Sequence, residues 1–334
     1  MAEPNEALGE FALIDRIVER LGDAAARDIL VPPGDDAAAW TTEAGVSVAT
    51  VDVLVEGNHF RADTMSRGDL GWRAMAANVS DIAAMGATPE FAFIGLVLPP
   101  HEPLESIDRL VDGMAEACRA MGVRVGGGDI VRGDRLTISV TITGRTASSD
   151  ALLRRDSARV GDRVAVSGHL GAAAAGLALI EAGRGGGDGA GAPLLLAHRR
   201  PMPRVALGRA AAEAGVRCGM DVSDGLLQDL GHIAERSNVG IEVQTSKIPL
   251  HPAAVAELGA QAALDLALGG GEDFELAMTA PSAILEAVGH TEPRLTSIGV
   301  VVEDHPGEAW ALHDDGTRYV PAVSGWDQMR AGAS

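Results

Sequence analysis

Lysine is almost absent from this chain: the 334 residues include one, Lys247, in Thr245-Ser-Lys-Ile-Pro-Leu250. That scarcity excludes two large classes of ATP-using proteins, because neither the lysine of a phosphate-binding loop nor the strand lysine of a protein kinase can be placed there. Cysteine is nearly as rare. Cys118 and Cys218 form no CxxC pair and have no metal-ligand spacing, so they indicate neither a disulfide framework nor a cysteine zinc site, and a reducing cytoplasm fits. Positive charge is short as well, with 27 Lys and Arg against 47 Asp and Glu and a formal charge of -20, so a nucleic-acid backbone would be repelled. Long apolar runs are missing: Ala92 to Leu98 and Leu170 to Ile180 fall short of the roughly 20 residues that span a bilayer. Glu3, Glu6 and Glu10 precede the first arginine, Arg16, which speaks against a secretory leader. The expectation is a cytoplasmic protein with no membrane and no nucleic-acid partner.

What is present is enough apolar material for two cores. The chain is 46% hydrophobic and 22% charged, the balance of a folded protein, and its length suits two domains sharing a cleft. Leu13, Ile14, Ile17, Val18 and Leu21 recur at helical spacing, and so do Ile107, Leu110, Val111, Met114, Cys118 and Met121 in a helix over 104–121. Cys118 is therefore expected in a core, and Cys218, just before a strand, likewise. A further helix is expected over about 69–85. Strands are expected at 46–54, 91–98, 123–125 and 136–143, the last from alternation of Leu136, Ile138, Val140 and Ile142 with polar residues. A polar, arginine-rich seam at 145–160 sets a domain boundary at about 148, giving domains 1–148 and 149–334. Beyond it we expect a strand at 164–167, an alanine-rich helix from Gly171, a helix after Pro203 and a strand ending at Asp221. The glycine-rich run 183–191 reads as a mobile loop.

Acidic residues recur at strand ends or beside glycine, where a carboxylate on a tight loop is available to a cation. The instances are Gly34-Asp35-Asp36, Asp52, Ser80-Asp81, Gly126-Gly-Gly-Asp129 and Asp221-Val-Ser-Asp224-Gly225, the last opening a helix. Taken singly, each has an ordinary explanation: Gly-Asp is a common turn, and Ser223 or Asp224 is a natural helix N-cap. Seven carboxylates gathered at one place would repel one another unless cations neutralised them, and magnesium suits oxygen-only ligands. Gly269-Gly-Gly-Glu272-Asp-Phe-Glu-Leu276 adds Glu272 and Asp273 on a flexible turn ahead of a strand.

In order and wording these motifs resemble the thiamine-monophosphate kinase family over nearly the whole chain. The matching strings are Gly9-Glu-Phe11 with Leu13-Ile14, Gly34-Asp-Asp36, Asp52-Val-Leu-Val-Glu-Gly-Asn-His59-Phe60 and Asn78-Val-Ser-Asp81-Ile-Ala-Ala-Met-Gly-Ala87. Gly127-Gly-Asp129, Asp221-Val-Ser-Asp224-Gly-Leu226, Gly269 to Leu276 and Gly325-Trp-Asp327 complete the series. The family's common Gly-Gly-Asp-Thr reads Gly127-Gly-Asp-Ile130 here, so any hydroxyl contact from that position is lost.

The resemblance implies an α/β (α+β) protein with the two-domain fold of aminoimidazole-ribonucleotide synthetase. Its N-terminal mixed sheet would form a barrel across a homodimer, and a C-terminal α/β domain would complete the site. It implies ATP as co-substrate, several Mg2+ ions, and thiamine monophosphate as phosphate acceptor. By motif position the metal ligands fall on Asp36, Thr50, Val51, Asp52, Asp81, Asp129, Asp221 and Asp224, with Asp35 beside them. ATP contacts fall on Gly128, Asp129, Arg155 and Ser223, and substrate contacts on His59, Glu272 and Trp326, the last by stacking. Asp36, Asp52, Asp129 and Asp224 would carry the chemistry. The competing readings are another ATP-dependent enzyme of the superfamily and a non-catalytic nucleotide or magnesium sensor.

Overall fold

Between 46 and 55 half-covered Val46, Val48, Thr50 and Asp52 alternate with open Ser47, Ala49, Val51 and Val53, and that strand edges the first of two sheets. The computed structural model describes residues 10–27, 29, 42, 44–186, 189–288, 293–323 and 325, which divide into two units near residue 147. Each has its own sheet.

In the first unit, α1 (Glu10–Leu21) is followed by β1 (Val46–Val55), α2 (Arg67–Ala84), β2 (Thr88–Leu98), α3 (Leu104–Met121), β3 (Arg124–Arg132) and β4 (Thr137–Thr146). The sheet order is β1-β4-β2-β3, with β2 and β3 parallel and the other pairs antiparallel. Ile138, Val140 and Ile142 of β4 and Ile94 and Leu96 of β2 are buried, as are Met75, Val79 and Ile82 of α2 and Ile107, Leu110 and Met114 of α3. On β1 the alternate residues are open, with Val51 59% and Val53 46% exposed. Arg16 forks onto the Asp108 carboxylate at 2.8 and 2.5 Å, tying α1 to α3 and holding that carboxyl below its usual range.

The Gly126–Asp129 run, expected as a tight loop, lies inside β3 instead. Gly126 is the extra residue of a bulge, since Ala92 pairs with Val125 and Phe93 with Gly127. A Cβ on Gly128 would fall 2.1 Å from the Ile94 carbonyl oxygen, so glycine is what lets this edge strand approach β2.

The second unit holds β5 (Arg163–Ser167), α4 (Ala172–Glu181), α5 (Ala192–Arg199), α6 (Val205–Ala214), β6 (Cys218–Val222), α7 (Leu226–Ser237) and β7 (Gly240–Gln244). After these come α8 (Pro252–Leu258), α9 (Ala260–Gly269), β8 (Glu275–Ala280), α10 (Ser282–Val288), β9 (Leu295–Val302), β10 (Ala309–Leu312) and β11 (Arg318–Tyr319). The seven-stranded sheet runs β11-β10-β7-β9-β5-β8-β6 and is antiparallel except for β7 with β10. Every residue of β8 is buried. Its Ala277 packs in one apolar cluster with Leu226, Leu230 and Ile233 of α7, and Leu276 and Met278 pack in another with Leu207 of α6 and Leu285 of α10. Helices on both faces thus leave β8 no polar side.

Both cysteines are buried and free, as expected of core residues; burial pushes the Cys118 thiol up to about 12 and the Cys218 thiol up to about 11. Among the described residues no helix is long and apolar enough to cross a membrane.

Candidate functional site

In the first unit a helix and an edge strand present their polar residues to each other. Thr50 Oγ1 on β1 donates to Asp81 Oδ2 on α2 at 2.5 Å, and two residues along, the Asp52 amide donates to Asn78 Oδ1 at 3.1 Å. Asn78, 1% exposed, anchors itself by donating to the Ala74 carbonyl at 3.1 Å. Strand residues 50 and 52 share a face, and helix residues 78 and 81 lie one turn apart, so this pairing follows from the two periodicities. Thr50, Asp52 and Asp81 therefore sit together. Val51 points to the opposite, open face.

His59 closes the end of β1, its Nδ1 accepting the Val55 amide at 3.0 Å. Gly128 and Asp129 stand on β3, at the other edge of the sheet from Asp52, with β4 and β2 between them. Three strand spacings amount to roughly 14 Å. Asp52 shares a row with Val140, Ile94 and Gly128, whereas Asp129 belongs to the next row, with Gly95, Ser139 and Val53. Adjacent rows face opposite ways. Asp129 is exposed and its Oδ1 accepts the Ile130 amide at 2.9 Å. This sheet therefore does not offer Asp52 and Asp129 to a single ion.

In the second unit two expected motifs are joined backbone to backbone. The Ser223 carbonyl accepts the Glu272 amide at 2.8 Å and the Val222 carbonyl accepts the Phe274 amide at 3.0 Å. A Cβ on Gly271 would lie 2.2 Å from the Ser223 oxygen, so only glycine permits this approach. Glu272 and Phe274 hold positive φ values of 72° and 50°, an uncommon conformation for residues with side chains and one that clusters at functional sites. Asp221, 2% exposed in β6, Ser223, Asp224 and Glu272 are thereby brought together.

Asp273 is turned away from them. Its carboxylate accepts the Gly171 and Ala173 amides at 2.7 and 3.1 Å at the start of α4, and burial raises its pKa to about 7. Neighbouring Glu275 is gripped by Arg204 at 2.8 and 2.5 Å and by the Ser167 hydroxyl. It fixes the root of the 269–274 turn.

Burial raises the pKa of Asp224; His232 and Arg155 pull it down and Glu272 pushes it up. Arg155 is exposed, and its carbonyl accepts the Ser237 hydroxyl at 2.8 Å. The residue that shapes the loop most was not among those expected. Asp229 Oδ2 accepts the amides of Ser223, Asp224 and Gly225 at 3.0, 3.2 and 3.1 Å. Its place four residues after Gly225, in the first helical turn, was a readable signal. Asp229 is fully buried, and burial together with Asp221 and Asp224 raises its pKa well above that of a free carboxyl. Three crowded carboxylates beside a buried oxygen of Asp229 without a hydrogen-bond partner fit a divalent cation, as do the oxygen donors around Asp81.

The model of the AIR synthase related protein N-terminal domain matches residues 34–146, and that of the AIR synthase related protein C-terminal domain matches 159–310. The thiamine-monophosphate kinase of Mycobacterium tuberculosis is 38% identical over 274 residues, covering 81% of this chain and 80% of its own. A crystal structure of thiamine-monophosphate kinase from Stenotrophomonas maltophilia superposes with a TM-score of 0.81 at 38% identity, covering 92% of this chain and 97% of that one. A solved protein named AaThiL, complexed with AMPPCP and TMP, gives 0.75 at 32% identity over 98% of this chain and 99% of that one. This chain belongs to the thiamine-monophosphate kinase family.

Of the residues that the thiamine-monophosphate kinase resemblance singles out, Asp35, Asp36 and Trp326 lie outside the described residues. Seven of the others fall into two groups, which leave out Val51, His59, Gly128, Asp129 and Arg155. Thr50, Asp52 and Asp81 form one, in the first unit, and Asp221, Ser223, Asp224 and Glu272 form the other, in the second.

Proposed function

We propose that this chain transfers the γ-phosphoryl group of ATP to the phosphate of thiamine monophosphate, giving thiamine diphosphate and ADP by direct in-line displacement. The observation that carries the reading is its likeness over 98% of its length to a solved protein complexed with AMPPCP and TMP. The joined 221–225 and 269–274 turns are the local support, since they bring a serine and three carboxylates to one place.

Both reacting groups are anionic, so positioning and charge neutralisation supply most of the catalysis. Asp36, Asp52, Asp81, Asp129, Asp221 and Asp224 would hold Mg2+, with the backbone of Thr50 and Val51 beside them. Bound there, Mg2+ would supply neutralisation of phosphate charge. The separation of Asp52 from Asp129 favours more than one ion. Gly128, Asp129, Arg155 and Ser223 bind ATP, and His59, Glu272 and Trp326 bind the acceptor. The acceptor phosphate is already ionised near pH 7, so no general base is needed.

Domain 1–148 supplies the magnesium and nucleotide residues and the dimer contact, and domain 149–334 completes the nucleotide and substrate site in a cytoplasmic homodimer. The open face of β1, with Val51 and Val53 exposed, supports a barrel shared by two copies. The test is ADP release with thiamine monophosphate against thiamine, with and without Mg2+. Release only with the monophosphate and only with Mg2+ is expected; equal release with thiamine would sink the reading.

A further inference from the structure

We propose that Asp224, Asp229 and His232 form a binding site for a borderline divalent cation of the manganese or zinc kind. Asp229 and His232 lie three residues apart on α7 and so share a face of that helix. One ligand atom from each of the three residues lies within 4.8 Å of the other two, a spacing from which three side chains can close on one ion.

The second observation is the state of the Asp229 carboxylate. Its Oδ2 is consumed by three backbone amides, whereas Oδ1 is sealed from solvent and has no hydrogen-bond partner. An orphaned carboxylate oxygen in an interior is costly, and here Asp221 and Asp224 add negative charge around it. A bound cation removes both penalties at once. The imidazole decides which cation. Magnesium takes oxygen ligands and keeps its waters, while a set of two carboxylates and one imidazole suits manganese, cobalt or zinc. The inference rests on the kinase reading for Asp224, which both share. It adds Asp229 and His232 as ligands beside the Asp224 that the kinase reading gives to Mg2+, so manganese or zinc would compete with Mg2+ there and not at the oxygens around Asp81.

The test uses the full chain loaded with Mn2+ alone, with no nucleotide and no thiamine monophosphate. Pulsed electron paramagnetic resonance detects the 14N coupling of an imidazole bound directly to manganese. We expect that coupling in the wild type and its loss in His232→Gln, a change at a half-buried side chain that leaves the core untouched. In Asp229→Asn the Mn2+ concentration that half-saturates the signal should rise at least tenfold. Absence of the coupling in the wild type, or its persistence in His232→Gln, overturns the proposal. Should Asp229→Asn fail to fold, the His232→Gln result decides alone. ADP release is followed in parallel: coupling without release leaves the site standing and sinks the kinase, and release without coupling does the reverse.

Discussion

Thr50 Oγ1 lies 2.5 Å from Asp81 Oδ2, so a strand hydroxyl orients a helix carboxylate before any ion arrives. Two residues along, Asn78 holds the Asp52 amide at 3.1 Å, and the same helix and strand are thus fastened twice. The spacing of these four residues is what gives Asp81 a fixed direction.

Thr50→Val tests that relationship, because valine keeps the branched shape a strand accepts and deletes only the hydroxyl. Removing such an outer partner of a ligand typically weakens metal binding 10- to 100-fold. The Mg2+ concentration for half-maximal ADP release should therefore rise about tenfold, with the melting temperature nearly unchanged. An unaltered Mg2+ titration would show that the hydroxyl does not orient Asp81.

Elements with a strong period were legible in the sequence: the helix at 104–121 was read with both ends correct, because its apolar residues keep helical spacing throughout. β3 was read only as far as Val125, since three glycines look like a turn, and only pairing with β2 makes them strand. β7, β9, β10 and β11 and the helices α5 and α8 to α10 were missed, for they are stabilised by burial against distant partners that no local window contains. The acidic motifs were legible as motifs. That Ser223 and Glu272 meet depends on backbone hydrogen bonds across 49 residues of chain, 272 minus 223, and no spacing rule discloses that. Asn78 and Asp229 were seen as parts of strings while their work, holding backbone amides, went unread.

Asp273 gives a pH signature. Its folded pKa of about 7 exceeds the unfolded value of about 3.9, so folding takes up a proton between those limits. Its contribution to stability is full below about pH 4 and is lost as pH rises to about 7, at a slope of up to about 1.4 kcal/mol per pH unit. Asp273→Asn cannot titrate. Urea unfolding from pH 4.5 to 7.5 should show the wild type losing stability relative to this variant as pH rises, and a difference independent of pH would refute the assignment.

Gly271→Ala probes the joined turns, because the new methyl would meet the Ser223 carbonyl oxygen at 2.2 Å. Overpacking of this kind costs about 1–3 kcal/mol and forces the two turns apart. The KM for thiamine monophosphate should rise more than tenfold as Glu272 moves, while α7 and its core remain folded by circular dichroism. An unchanged KM would separate Glu272 from substrate recognition.

Asp129→Asn asks whether an exposed carboxylate on an edge strand serves chemistry or only solubility. Its hydrogen bond from the Ile130 amide is local, and an asparagine oxygen can replace it. Urea midpoint and circular dichroism should thus match the wild type within error. If Asp129 holds an ion against ATP, removing one charge from that shell should lower ADP release by at least a hundredfold at any Mg2+ concentration. The loss should lie in kcat more than in KM, since an interaction made with the transferring phosphoryl group acts in the transition state. Normal turnover at saturating Mg2+ would return Asp129 to the solvated surface and leave Asp81 and Asp224 to carry the metal.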